Sequence, residues 1–215
     1  MSHDHDAPDP SPVTPAEAWE FRYAEQPQRW SGNPNATLVD VVAPLTPGRA
    51  VDLGCGEGAD AIWLARQGWT VLGVDISTTA VTRAQGAALE AGVDGRATFE
   101  ARDLATWEPK GEVDLVTASF LHSREELPRT QILRRVAAHV APGGHLAIVS
   151  HAAPPPWSEH AHHDELLLDA DGEIAALGFG DDWRIVLAEH RERVAVSPTG
   201  ETTQLEDVAV LLQRR

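Results

Sequence analysis

The sequence predicts an α/β fold built on a doubly wound, mostly parallel sheet of seven strands. Between residues 49 and 149, short β-rich runs alternate with helical segments, which is the pattern of parallel strands joined by helices on both faces of a sheet. Two further β-rich runs follow and are joined by a turn region at residues 197–200. The chain has 215 residues and 42% apolar residues, enough to bury one core of this kind.

The strands and helices follow from local patterns. The predicted strands are residues 49–53, 70–74, 97–101, 113–118, 146–149, 183–190 and 207–214. A first helix begins at Thr14 or Pro15, and Asn35 and Ser77 are N-cap residues of two later helices. Gly68 suits the position after a helix C-terminus. Residues 123–126 have the form of a capping box, which predicts a helix start there, and the Pro-Gly-Gly at 142–144 ends that helix.

The stretch around which the chain is organised is residues 50–60. A short apolar strand ends at Asp52-Leu53, and Gly54, Gly56 and Gly58 then alternate before a helix begins. Glycines allow positive φ and let a ligand approach the main chain, and the helix start offers free N–H groups. This is the form of a nucleotide-type cofactor site.

Two cofactors compete for this site. The spacing Gly54-x-Gly56-x-x-Ala59, with Asp75 19 residues after Gly56, fits a dinucleotide fingerprint. However, Asp52 before the glycines would repel a pyrophosphate and could help to hold an ammonium and a sulfonium. Glu57 adds negative charge, and a further acid, Asp103, follows the third predicted strand, where an adenine would lie. These acids favour S-adenosylmethionine.

Four segments resemble motifs of class I S-adenosylmethionine-dependent methyltransferases. Residues 51–58, 74–77 and 102–104 resemble the first three motifs, and the Pro-Gly-Gly at 142–144 resembles a later one, so the resemblance covers roughly residues 36–150. The sequence is most similar to the tellurite-resistance and thiopurine-type small-molecule enzymes of that class. The resemblance implies a Rossmann-like fold, a C-terminal hairpin with an antiparallel last strand, and a single domain at 15–215.

The resemblance also implies a site for each part of the cofactor. A carboxylate at Asp75 suits the two ribose hydroxyls, Asp103 the adenine amino group, and Ile76 one face of that ring. The glycine turn takes the methionine moiety. The predicted cofactor-binding residues are Trp30, Asp52, Gly54, Cys55, Gly56, Asp75, Ile76, Asp103, Leu104 and Ser119.

Two segments are predicted to surround the methyl acceptor. Aromatic residues in 15–47 predict an N-terminal cap, with Trp30 at the pocket wall, or else a helix packed on the edge of the sheet. The loop at 151–182 is predicted as an acceptor lid. His122 and His151 follow strands four and five and are the candidate catalytic residues, as general bases or as hydrogen-bonding groups in the wall.

A metal site and a reactive thiol are both weakly indicated. His160, His162, His163 and Asp164 form a cluster that lacks the ligand spacing of a fixed zinc site, so we expect no metal there. Cys55 is the only cysteine, which excludes an intrachain disulfide, and the glycine turn requires only a small side chain at that position.

Composition limits the partners that we expect. The chain has 17 Lys plus Arg and 33 Asp plus Glu, a formal charge of −16, which disfavours nucleic acid and anionic membranes and suits a small neutral or cationic acceptor. Residues 1–14 are polar and proline-rich, which predicts a disordered tail without a signal peptide. No apolar run reaches the length of a membrane span, so a cytoplasmic protein is expected; its oligomeric state stays open.

Three functions remain open from the sequence. The first is methyl transfer from S-adenosylmethionine to a small molecule, either a thiol or chalcogen compound or an aromatic hydroxyl compound. The second is a nicotinamide-dependent oxidoreductase, although no residues remain for the second domain that such an enzyme would more often need for its substrate. The third is a non-enzymatic cofactor-binding module.

Overall fold

A computed structural model describes residues 14–157, 167–197 and 199–215 of the chain. The tail predicted at residues 1–14 lies outside the described residues, apart from Thr14. The elements, in chain order, are α1 (Pro15–Ala24), α2 (Ala36–Val42), β1 (Arg49–Leu53), α3 (Ala59–Arg66), β2 (Thr70–Asp75), α4 (Thr78–Glu90), β3 (Ala97–Ala101), β4 (Val113–Ser119), α5 (Arg129–Ala137), β5 (Val140–His151), α6 (Ala170–Leu177), β6 (Trp183–Val196) and β7 (Thr202–Arg214).

The seven strands form one sheet in the order β3-β2-β1-β4-β5-β7-β6. The pairs from β3 to β5 are parallel, whereas β7 runs antiparallel to both β5 and β6. The strand order therefore reverses between β1 and β4, and ligands of such sheets bind at the carboxyl ends of the strands near that point. The predicted doubly wound sheet with an antiparallel last strand is confirmed.

Alternating side chains of the strands face two separate apolar layers. Helices α2, α3 and α4 pack on one face, where Leu38 and Leu115 are fully buried. Helices α5 and α6 pack on the other, where Ile132 and Leu146 are fully buried. Burial of both faces explains why the central strands are nearly continuous apolar runs. It also leaves only the strand ends available to a ligand.

The predicted helix start at residues 123–126 is wrong. Helix α5 begins at Arg129, after Pro128, and the hydrogen bond from the Glu125 amide to Ser123 Oγ at 3.2 Å does not start a helix. Ser123 and the neighbouring Glu125 have long-range partners instead. Trp19 Nε1 donates to Ser123 Oγ at 3.0 Å, and the Arg22 guanidinium donates two hydrogen bonds to the Glu125 carboxylate. The loop before α5 thus anchors α1.

Strand β5 is longer than its apolar run predicts. It begins at Val140 and includes the Pro-Gly-Gly at 142–144, which was predicted to end the preceding helix. The pairing register of β4 with β5 shifts between Val113 and Leu115, so β5 bulges where Pro142 cannot donate to the ladder. The hairpin strands are also longer than predicted, because pairing of β6 with β7 continues beyond the apolar runs.

Helix α1 begins with a complete capping box. Thr14 and Glu17 exchange hydrogen bonds at its N-terminus, and Pro15 occupies the first turn. The Asn35 side chain accepts hydrogen bonds from the Thr37 and Leu38 amides, so Asn35 is the N-cap residue of α2, as predicted. Across the described residues, no helix combines the length and apolar character that a membrane crossing requires.

Candidate active site

The glycine turn after β1 folds back onto the end of β2. The Gly54 amide donates to the Val74 carbonyl at 2.8 Å. The Gly56 amide donates to Asp75 Oδ2 at 2.9 Å, and the other oxygen of that carboxylate accepts from the Ser77 amide at 2.9 Å. Gly54 and Gly56 have φ values of +68° and +53°, which residues with a β-carbon rarely adopt. The turn therefore holds Asp75 buried against its own main chain.

Two further carboxylates lie beside this turn. Asp52 is 2% exposed and accepts a hydrogen bond from Thr117 Oγ1 at 2.7 Å. Asp60, in the first turn of α3, accepts from the Asn35 amide at 2.7 Å. Burial raises the pKa of Asp52, Asp60 and Asp75, and the charges of Asp60 and Asp75 raise the pKa of Asp52 further.

The residues present at this edge fit S-adenosylmethionine. No ion pair within the described part of the chain includes Asp52, Asp60 or Asp75. Buried acids without a counter-charge suit a cationic ligand, because the ligand offsets their desolvation. The cofactor carries an ammonium and a sulfonium, whereas the pyrophosphate of a dinucleotide would add negative charge to the cluster.

The N-terminal cap lies directly on the glycine turn. A β-carbon at Gly56 would come within 3.0 Å of the Tyr23 hydroxyl and 3.2 Å of Trp30 Nε1, and that indole donates to the hydroxyl at 3.0 Å. Glu57 fixes this arrangement. Its carboxylate accepts from the Trp30 amide at 2.9 Å and pairs with Arg83 at 2.9 Å. The turn therefore supplies both the floor of the site and the anchor of its cover.

Helix α1 also borders the side of the site where the adenine is expected. A shallow, open groove of about 490 Å³ lies between α1 and Ile76, lined on the helix side by Glu20 and Phe21. Glu20 holds the helix there, since its carboxylate accepts from Ser77 Oγ at 2.7 Å and from the Thr79 amide at 3.2 Å. Half-buried Ile76 is thus placed at a surface large enough for a planar ring.

Two residues at the end of β3, Asp103 and Leu104, were predicted beside the adenine, and the structure places one on the surface and the other in the core. Asp103 is exposed, and its Oδ1 accepts from the Ala105 amide at 2.8 Å within its own loop. The Leu104 side chain is 5% exposed in the core beneath α5, and its carbonyl accepts from Arg135. The structure therefore brings Asp75 to the glycine turn but leaves Asp103 at the rim.

The loop after β4 lies across the glycine turn from the cap. Ser119 Oγ is buried beside the Asp60 carboxyl without a well-aligned hydrogen bond. Phe120 has φ of +50°, an outlier for a bulky residue. Leu121 covers Gly54 so closely that a β-carbon there would lie 2.7 Å from Leu121 Cδ1. Such local strain is often found where a loop positions functional groups.

Both candidate histidines lie at this edge of the sheet. The His122 amide donates to the Phe120 carbonyl at 2.8 Å, which closes a tight turn. His151 ends β5, and its ring stacks on Phe120 with centroids 4.0 Å apart. Its Nδ1 lies 3.5 Å from Oδ1 of Asp207, a carboxylate with no exposed surface.

The environment of the Cys55 thiol disfavours a nucleophilic role. Burial, followed by the charges of Asp75 and Asp52, raises the pKa of the Cys55 thiol well above its usual range, so the thiolate is disfavoured. Within residues 14–157, 167–197 and 199–215, no three His, Cys, Asp or Glu side chains gather as metal ligands. The cluster at 160–164 lies outside the described residues.

Sequence reasoning missed three residues of this site. Asp60 and Asp207 are acids that join the site from a helix start and from the last strand, and Tyr23 was predicted only as part of the cap. For Asp207 the sequence offered one signal, because this acid directly precedes the apolar run 208–212 within β7. For Asp60, the only signal in the sequence was its position close to the glycines.

Comparison with known proteins matches the chain to methyltransferases, in agreement with the geometry of the site. A methyltransferase domain family matches residues 50–144. Over 51% of its length the chain is 39% identical to a ribosomal RNA small subunit methyltransferase C from Alcanivorax borkumensis, and over 51% it is 38% identical to a ubiquinone biosynthesis O-methyltransferase from Cupriavidus pinatubonensis. A probable thiol methyltransferase 2 from Arabidopsis thaliana is 31% identical over 60%.

These alignments cover 34%, 44% and 58% of the three relatives, so the chain spans between about one third and three fifths of the length of these curated relatives. The relatives include an enzyme of ribosomal RNA, so they do not support the exclusion of nucleic acid that the acidic composition indicates. They share the methyltransferase domain and differ in the acceptor that their names state.

Solved structures extend the similarity to nearly the whole chain. The structure that describes conversion of a disulfide bond into a thioacetal group during echinomycin biosynthesis matches 93% of this chain and 92% of its own, with a TM-score of 0.70 and 26% identity. TehB from Haemophilus influenzae matches 84% and 62%, with a TM-score of 0.67 and 15% identity, which shows a shared fold alone. The motifs, the fold and these relatives together support a methyltransferase domain of the class I S-adenosylmethionine-dependent type, and the family match places that domain at residues 50–144.

Proposed function

We propose that this chain transfers the methyl group of S-adenosylmethionine to a small-molecule acceptor, with a thiol or other soft chalcogen compound first and an aromatic hydroxyl compound second. The proposal rests chiefly on one observation. Two buried acids, Asp52 and Asp75, and the half-buried Asp60 have no cationic partner among the described residues, and they converge on a glycine turn that is covered by aromatic side chains. Such a site suits a cationic donor and an acceptor that is small enough to lie beneath a cap.

The residues around the glycine turn would bind and orient the cofactor. Asp75, at the end of β2, would accept hydrogen bonds from the ribose hydroxyls, while the main chain of the turn and Asp52 would hold the amino-acid end. Ile76 would pack on the adenine, with Asp103 at the rim of that position. The bound cofactor supplies an electrophilic carbon activated by its sulfonium charge. Alignment of the acceptor with that carbon is then the main contribution of the protein, and can supply roughly 7–11 kcal/mol.

Three considerations favour a small sulfur compound. The cap closes on the glycine turn, because Tyr23 and Trp30 lie within contact of Gly56. The formal charge of −16 disfavours a polyanionic acceptor, including ribosomal RNA. The thiol methyltransferase from Arabidopsis and the enzyme of the disulfide-to-thioacetal conversion both act on sulfur, according to their names, and the second matches nearly the whole chain. The O-methyltransferase relatives keep aromatic hydroxyl compounds as the next class to test.

The test is direct. The protein is incubated with S-adenosylmethionine labelled in its methyl group and with separate pools of thiols, selenols, phenols, quinols, amines and a structured RNA, and products are read by mass spectrometry. Labelled thioethers or selenoethers are expected first, and aryl methyl ethers second. Label in RNA alone would overturn the small-molecule proposal. Cofactor binding without label in any pool would identify a binding module instead.

A further inference from the structure

One buried carboxylate of the chain has a position and partners that the cofactor site does not explain. Asp207 lies on β7 with no exposed surface. Its Oδ2 accepts hydrogen bonds from Thr37 Oγ1 at 3.0 Å and from Arg193 Nε at 2.7 Å. Its Oδ1 makes no hydrogen bond within the described residues, and lies 3.5 Å from His151 Nδ1, which is itself buried and without a hydrogen bond there.

These two unsatisfied atoms face each other across adjacent strands, because His151 on β5 is the register partner of Asp207 on β7. A buried polar atom without a hydrogen-bond partner is destabilising, so two such atoms in apposition favour a shared proton. A proton on Nδ1 satisfies both atoms with a small movement of the ring. The neutral imidazole then carries its lone pair on Nε2, the nitrogen that points away from Asp207.

The plane of the His151 ring is fixed from a second direction. The Phe120 ring stacks on it at 4.0 Å with an angle of 19° between the planes, and the Arg193 guanidinium lies 5.2 Å from the centroid of the Phe120 ring. The Phe120 amide donates to the Val149 carbonyl at 2.8 Å, which holds its backbone in the left-handed region. The strain of that conformation is typical of loops whose geometry serves a site.

The position of this group suits the acceptor rather than the cofactor. His151 ends β5, and β4 separates β5 from the strand that leads into the glycine turn. Neighbouring strands are about 4.8 Å apart, so the ring lies roughly 10 Å along the sheet from the turn. The loop of Leu121, which touches Gly54, lies between the two. A group at this distance would meet a molecule placed beyond the methyl, on the acceptor side.

We propose that Asp207 is a positioning residue that, with Phe120, orients His151 to take the proton of the methyl acceptor. This inference rests on the proposed function. The sulfur or oxygen of the acceptor forms a bond to the methyl carbon while the carbon–sulfonium bond breaks and its electron pair stays on the donor sulfur. The proton of the acceptor passes to His151 Nε2, and the resulting imidazolium is stabilised by the Asp207 carboxylate, which also pairs with Arg193. Positioned bases contribute about 10²–10⁴ in rate.

The main test is Asp207→Asn, with Glu206→Gln as the matched control on the same strand, where Glu206 is exposed. We expect kcat to fall about a hundredfold or more in Asp207→Asn, with KM and cofactor affinity within about twofold of wild type. The control keeps wild-type kinetics. With a thiol acceptor, the loss in Asp207→Asn and in His151→Gln is expected to shrink above pH 9, since a thiol with pKa near 8.5 is then ionised without a base. A deficit that is equal at all pH values, or full activity in His151→Gln, would overturn the proposal.

A second measurement does not depend on activity. Nitrogen NMR of histidine-labelled protein distinguishes the two neutral tautomers of His151, with His151→Gln used to assign its signals. We expect the proton on Nδ1 in wild type and a mixture of tautomers in Asp207→Asn. A proton on Nε2 in wild type contradicts the positioning role even if methyl transfer is active. The expected tautomer without transfer to any acceptor would instead contradict the proposed function alone.

Discussion

The Asp75 carboxylate accepts a hydrogen bond from the Gly56 amide at 2.9 Å, although 19 residues separate the two in sequence. This contact joins the end of β2 to the turn after β1. A carboxylate that binds main-chain amides on both oxygens is rigid, so its remaining lone pairs are aimed before any ligand arrives. The two motifs that the sequence offers separately are therefore one structural unit.

The first prediction concerns that unit. Asp75→Asn replaces one acceptor oxygen by an NH₂ group, which faces either the Gly56 or the Ser77 amide donor. A hydrogen bond to a charged group is worth about 1.5–3 kcal/mol, so we expect S-adenosylhomocysteine affinity, measured by calorimetry, to fall roughly 10- to 100-fold. Because burial raises the pKa of Asp75, removing its charge offsets the lost bond, and the melting temperature should change little. Exposed Asp94→Asn is the control, and wild-type affinity in Asp75→Asn would refute the assignment.

The second prediction follows from the raised pKa values of Asp52, Asp60 and Asp75. A carboxyl whose pKa is higher in the folded than in the unfolded state binds more protons when folded. Its stabilising effect is complete below the unfolded pKa, near 4, and is lost as pH rises through the folded pKa. We therefore expect the melting temperature without cofactor to rise as pH falls from 8 towards 5.

The cofactor changes this pH dependence. S-adenosylmethionine brings positive charge to the acids, so the rise in melting temperature that it causes should grow as pH rises. S-adenosylhomocysteine lacks the charge on sulfur, so the difference between the two ligands should be largest at high pH. Asp52→Asn should flatten the pH dependence, whereas Asp94→Asn should leave it unchanged. Equal effects of the two ligands at every pH would show that the acids do not sense the sulfonium.

The third prediction concerns the anchor of the cap. Glu57→Gln retains the side-chain volume but loses the charge that pairs with Arg83 and one acceptor for the amides of Arg29 and Trp30. We expect trypsin to cleave after Arg29 several times faster, and cofactor affinity to fall about fivefold, or ~1 kcal/mol. Exposed Glu126→Gln is the matched control. If proteolysis at Arg29 keeps its wild-type rate, Glu57 does not hold the cap.

The fourth prediction separates the effect of backbone strain on folding stability from the effect of a substitution in the glycine turn on cofactor affinity. Gly54→Ala and Gly111→Ala both place a β-carbon at positive φ, +68° and +86°, so both should lose about 1–3 kcal/mol of unfolding free energy. Only at Gly54 does the new carbon also meet a neighbour, Leu121 Cδ1 at 2.7 Å, whereas it meets nothing within 4 Å at Gly111. Cofactor binding should be lost in Gly54→Ala alone. A similar loss of affinity in both variants would trace the effect to stability.

Local sequence predicted most of the elements because their signals act over a few residues. The N-cap side chains of Asn35 and Ser77 bond to amides two or three residues away, so the starts of α2 and α4 were predictable. The same logic failed at Ser123, whose hydroxyl accepts from Trp19, 104 residues distant. A capping pattern is reliable only when no tertiary partner takes its side chains.

The sequence by itself determined the order of strands and helices, the glycine turn and the class of cofactor, since each depends on short-range conformation and on the charge next to that turn. Only the tertiary structure decided which acids act together. Asp60 joins Asp52 at the turn, Asp103 stays at the rim, and Asp207 faces His151 through the register of β5 with β7. Such pairings depend on burial and on contacts between segments far apart in the chain, and no periodicity within one segment encodes them.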